Sequence, residues 1–208
     1  MPLERELLRT NPMAADVFLG SQEGAILHEV GHYVAANLDG LIRGHIIVPA
    51  NLKRHSGAFV PDDHSAAILD SNSARWSLVS SAGVMAEYHF CGRAKLGAAK
   101  ADISAYQSKI TSMRADDVFE QWKRDHLDRI AAHAGCVEEN FDRCVRFCRT
   151  NRFLIRDHHV IPTAAMRSPR RRGLRERMDE LLRTYPAKAR SHALVEFEEA
   201  KAGLLRTI

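Results

Sequence analysis

The chain reads as a mainly α protein with a small β ribbon beside one buried helix, on three observations. Small and apolar residues recur at spacings of three and four, as at Trp76, Val79, Gly83, Ala86 and Phe90, which is the period of a helix face. Only two short runs have strand character, 44–49 and 57–61, and each is closed by a proline that limits further pairing. Residues 25–36 form an apolar run that suits a buried helix, yet it carries two histidines and a glutamate. With 208 residues, 45% hydrophobic and 27% charged, the chain is long enough for a sizeable core and ordinary in composition for a globular protein.

Taken in order, residues 3–18 read as a short helix and loop leading in. Ser21 is a candidate N-cap for the next helix, which runs to about Leu38 and stops at Gly40. The runs 44–49 and 57–61 make a hairpin or edge ribbon around the polar loop Asn51, Lys53, Arg54, His55 and Ser56. A helix spans 72–90, with the small residues Ala82, Gly83 and Ala86 allowing close packing, and Cys91-Gly92 ends it. After a Gly/Ala loop at 93–100, Asp102 opens another helix, and two more fit 116–134 and 137–149 around Gly135. Pro169 and Gly173 break the following arginine-rich stretch, and 174–184 with 187–205 form a helical hairpin broken at Pro186.

His28-Glu29-Val30-Gly31-His32 is an H-E-x-x-H sequence. Positions i and i+4 lie one turn apart on a helix face, so the two imidazoles can converge on one ion, at roughly 2.0–2.1 Å if it is zinc. Glu29 is then free to take a proton from a metal-bound water. Gly31 costs a helix roughly 1 kcal/mol relative to Ala, a cost usually tied to close approach of another backbone or a ligand. A catalytic zinc site wants a third protein ligand and an open position. Ala35 and Leu38 stand where a metzincin has Gly and His, which excludes that class. Glu87 and Asp102 remain as candidates, and spacing does not choose between them.

Leu27-His-Glu-Val-Gly-His32, Gly44-His-Ile-Ile-Val-Pro49, Ala82-Gly-Val-Met-Ala-Glu87 with Gly92, and Gly97-Ala-Ala-Lys-Ala-Asp102 stand in this order over residues 20–150. Together they resemble the peptidase domain of FtsH-type AAA zinc proteases. The resemblance implies that His28, His32 and Asp102 bind one zinc ion and that Glu29 is the catalytic base. It leaves Glu87 to orient a ligand histidine. It also implies a helical zincin-like peptidase domain over 1–150; beyond it the residues themselves read as a basic linker and a C-terminal helical hairpin packed on that domain over 151–208. The chain departs from the family in Val30, in Val84, and in one extra residue between Gly97-Ala and Asp102.

The expected activity is zinc metallopeptidase hydrolysis of peptide bonds, with an edge strand at 44–48 or 57–60 holding an extended substrate. No G-x-x-x-x-G-K-[ST] loop is present in this chain, so it has no ATP site of its own. The expected partners are a peptide or unfolded polypeptide substrate, together with a homo-oligomer or a separate ATPase. The N-terminus lacks an apolar signal region and no run reaches about 18 apolar residues, so the expectation is a cytoplasmic protein without a membrane span. Cys91, Cys136, Cys144 and Cys148 read as small buried hydrophobes. Six arginines within 167–177 read as a solvated basic linker, since no aromatics interleave them. The rival is an inactive module that binds nucleic acid or a partner, with a structural or vestigial zinc site.

Overall fold

A computed structural model describes residues 4–167 apart from 39, 41, 51–56, 71–72, 98, 111–112 and 152–157. The polar loop at 51–56, five of the six clustered arginines and the C-terminal hairpin lie outside the described residues. The protein is mainly helical, with one small antiparallel sheet. In chain order, α1 (Arg5–Thr10), α2 (Pro12–Leu19) and α3 (Gln22–Ala36) precede β1 (Gly44–Pro49) and β2 (Ala58–Pro61). Five helices follow: α4 (Asp63–Asp70), α5 (Ser73–Cys91), α6 (Lys100–Ile110), α7 (Ala115–Ala132) and α8 (Ala134–Thr150). Strand β3 (His158–Pro162) and a short 3-10 turn complete the described part.

Helix α3 forms where the sequence places it. The Ser21 side chain accepts a hydrogen bond from the Gly24 amide at 3.2 Å, which satisfies one of the amides a helix start leaves open. Every residue from 26 to 37 is buried. Burying Ile26, Leu27, Val30 and Val34 stabilises the fold by about 1.5–3 kcal/mol each, which offsets the cost of enclosing polar groups on the same helix. Helix α5 crosses α3 at close range. A Cβ on Gly31 would stand 2.6 Å from the Ala82 carbonyl oxygen and 2.9 Å from the Ala86 side chain. The glycine in α3 therefore serves approach of a second backbone. Gly92, at φ 71°, ends α5 in a left-handed conformation that suits glycine. Fully buried Trp122 on α7 and buried Val137, Phe141 and Cys144 on α8 extend the same core.

The sheet differs from the expected two-stranded ribbon. Its order is β2-β1-β3, with Ile46 opposite Phe59 on one side and Ile161 on the other. Strand β1 is therefore central, and the expectation that 44–48 offers a free edge to substrate is corrected: both its sides are paired. The free edge on the hairpin side belongs to β2. β3 draws on residues beyond 150, and by contacts Met1–Pro169 forms one compact unit. Helix α4 was not expected either; its start is marked by the Asp62 carboxylate, which accepts from the Ser65 amide at 2.8 Å.

Candidate metal centre

His28 and His32 project from one face of α3 into a cleft of about 930 Å³. Their rings lie 4.7 Å apart, centroid to centroid, and near perpendicular at 73°. Each ring is held from behind. His28 Nδ1–H donates to Glu87 Oε1 at 2.8 Å, and the other Glu87 oxygen accepts from the Lys95 amide at 2.7 Å. His32 Nδ1–H donates to the Val79 carbonyl at 2.6 Å. A carbonyl only accepts, so His32 carries its proton on Nδ1, which leaves Nε2 facing the cleft.

Asp102, in the first turn of α6, completes the cluster. Its Oδ2 lies 3.2 Å from His28 Nε2 and 3.6 Å from His32 Nε2. Ligands about 2.05 Å from a tetrahedral ion stand about 3.3 Å from one another. The two distances bracket that value, and one donor atom from each of the three residues lies within 4.8 Å of the others. The residues thus fit a metal ion by donor type and by spacing. Gly83 adds a steric observation: a Cβ there would stand 2.6 Å from Nε2 of both rings, so only glycine leaves that space to the imidazoles. Among the described residues this is the one cluster of three or more such groups able to hold a metal. The donors number three, as in catalytic zinc sites, where structural ones enclose the ion with four. The Asp102 side chain stays 26% exposed, so the site opens to the cleft.

Glu29 adjoins this cluster from the next position on α3. Burial pushes its carboxyl above the ordinary range, against the pull of His28 and His32. The Phe59 amide donates to it. A Cβ on Gly57 would come 2.9 Å from Glu29 Oε1, so the residue just before β2 lies against the carboxylate as closely as a glycine permits. Burial, the largest influence on His28, lowers its pKa, but the Asp102 and Glu87 hydrogen bonds outweigh it and hold the ring well above its usual value. His32 is raised too, by Asp102 against burial. Burial alone would raise Asp102; the charge of His32 and the His28 hydrogen bond bring it well below the ordinary range instead.

All five residues singled out in the sequence, His28, Glu29, His32, Glu87 and Asp102, line this cleft. Spacing left Glu87 and Asp102 as equals; the structure sets Asp102 against both Nε2 atoms and Glu87 behind His28. Sequence reasoning missed Gly57, Phe59 and the Val79 carbonyl. No side-chain pattern marks a backbone group, but the lone glycine before a strand was a readable signal of close approach. The cysteines are not part of the cluster: Cys91, Cys136 and Cys144 are buried as expected while Cys148 is half-buried, and burial pushes the Cys91 and Cys144 thiols to about 12 and Cys148 to about 11. Arg167, the described member of the arginine stretch, pairs with Glu139 at 3.1 Å. No described helix is long and apolar enough to cross a membrane. In comparisons with known proteins, no family model, curated protein or solved structure matches the chain.

Proposed function

We propose that the chain is a zinc metallopeptidase of the FtsH-like kind, acting in the cytoplasm on peptides or unfolded segments. The observation that carries this reading is the convergence of His28 Nε2, His32 Nε2 and Asp102 Oδ2 beside a buried glutamate that binds none of the three. Zinc held there supplies Lewis acidity, polarising a carbonyl and making water acidic near pH 7. Glu29 accepts the proton of the attacking water and delivers it to the leaving amine. Glu87 and the Val79 carbonyl keep both imidazoles in the tautomer that presents Nε2.

Substrate enters along β2. Amides alternate sides along a strand, and the Phe59 amide bonds Glu29, so the unpaired edge of β2 faces the carboxylate. The Phe59 amide is taken by Glu29, so an extended peptide on that edge pairs through its own amides with the outward carbonyls of β2, beside Glu29. The cleft wall beyond is apolar, with Phe59, Leu69, Trp76 and Val79 available to a substrate side chain.

Glu29→Gln is the decisive variant. It should bind zinc as wild type does, by elemental analysis, and lose casein or peptide hydrolysis by about 10²–10⁴-fold with ATP absent. A Gln variant that still turns over substrate removes the general-base role. Wild-type protein that holds zinc and cleaves nothing favours the inactive-module reading.

A further inference from the structure

Two of the three donors are oriented by hydrogen bonds, and the third is not. Among the described residues, the Asp102 carboxylate bonds only to the two histidines. Its position therefore depends on where α6 sits. That helix buries Ile103 and Tyr106. The Tyr106 ring lies parallel to Trp76 of α5, at 6.1 Å and 6°, and edge-on to Trp122 of α7, at 5.2 Å and 76°. Trp122 is fully buried, so the far end of this aromatic row is fixed in the core. Asp102 and Tyr106 are i and i+4 on α6, on one helix face, so the contact that fixes Tyr106 also fixes the direction of Asp102.

Helix α5 then holds all three donors from a single face. Trp76, Val79, Gly83 and Glu87 recur at three- and four-residue spacing along it. Val79 fixes His32, Glu87 fixes His28, Gly83 leaves room for both rings, and Trp76 meets the helix that carries Asp102. Resting on the metal-site reading, we infer that Tyr106, stacked on Trp76, is the positioning residue of the third metal donor. It touches neither metal nor substrate; it sets the angle from which Asp102 closes the site. Offset and edge-on ring contacts have a preferred geometry, which an aliphatic side chain of similar volume does not reproduce.

The test is a zinc titration by chelator competition on the full chain, comparing wild type with Tyr106→Phe, Tyr106→Leu, Asp102→Asn and the Leu/Asn double variant. Tyr106→Phe keeps the ring and should bind zinc as wild type does. Tyr106→Leu should lose about tenfold in affinity, the scale at which groups that orient ligands act. In the Asp102→Asn background the same Leu substitution should cost nothing further. The cobalt-loaded Leu variant should show an absorption spectrum displaced towards that of Asp102→Asn. Circular dichroism of the metal-free proteins checks that each variant is folded, and Tyr106→Met replaces the Leu variant if the latter is not. Wild-type affinity in the Leu variant, or an equal loss in the presence and absence of the Asp102 carboxylate, overturns the inference while leaving the metal site standing. A wild-type protein that takes up no zinc overturns both.

Discussion

On the proposed metal-site reading, His28 and His32 need opposite protonation states with and without metal, and pH separates the two. Without metal, both rings have raised pKa values, so they contribute stability fully below the ordinary 6.5 and lose it as pH rises through their higher folded values. Asp102 is lowered, so its contribution is present above the ordinary 3.8 and lost as pH falls through its lower folded value. The raised pKa of Glu29 acts in the same sense as the histidines. The metal-free cluster is thus best paired in mildly acidic solution. Zinc needs neutral imidazole, so its binding must expel those protons. Calorimetric titrations in buffers of different ionisation enthalpy should show more protons released at about pH 6 than at about pH 8, with affinity rising over the same interval. Zinc uptake with no proton release at either pH would remove the two histidines as ligands. Gly83 gives a steric counterpart: Gly83→Ala should abolish zinc binding, since its Cβ would meet both Nε2 atoms at 2.6 Å. Unchanged zinc content in that variant would mean the rings move aside freely.

At the scale of elements, the sheet decides which strand edge the proposed substrate could use. β1 is paired on both sides, so Ile47→Pro would break the sheet and report nothing about substrate. The informative change is in the peptide. Methylating a backbone amide of the substrate near the scissile bond should lower kcat/KM about three- to tenfold where that amide pairs with β2, the equivalent of roughly 1 kcal/mol per hydrogen bond. Equal rates for every methylated peptide would exclude edge pairing. The elements also show what the sequence made legible. α3 was readable because a cap, an apolar run and an H-E-x-x-H spacing agree locally. β3 was not: His158-His-Val-Ile-Pro162 has no alternation that separates it from a loop, and its strand form comes from pairing with β1, more than a hundred residues away. The choice of Asp102 over Glu87 likewise needed more than spacing, since both are single carboxylates on helices, and only the tertiary placement of α5 and α6 against α3 sets Glu87 behind the histidines and Asp102 in front.

For the whole molecule, the question is how much chain the metal site needs. The donors, Glu29, Glu87 and all three strands lie within Met1–Pro169, a compact unit by its contacts. A unit with its own core can fold alone. A chain ended at residue 169 should therefore keep zinc affinity within about threefold of the full chain and still melt cooperatively. Ending it at 150 is a different experiment. It removes β3 and with it fully buried Ile161 and buried Met166, which pack into the main core. It also leaves β1 unpaired along one side and removes the Thr163 hydroxyl, which accepts from the Gly44 amide at 2.9 Å. Losing two buried apolar side chains alone costs about 3–6 kcal/mol, a large part of the stability of an ordinary domain. The shorter chain should melt early or not fold, and its zinc uptake should fail with its fold. If both truncated chains melt and bind alike, β3 is dispensable and the folding unit ends with α8; if both fail, residues beyond 169 take part in holding the site.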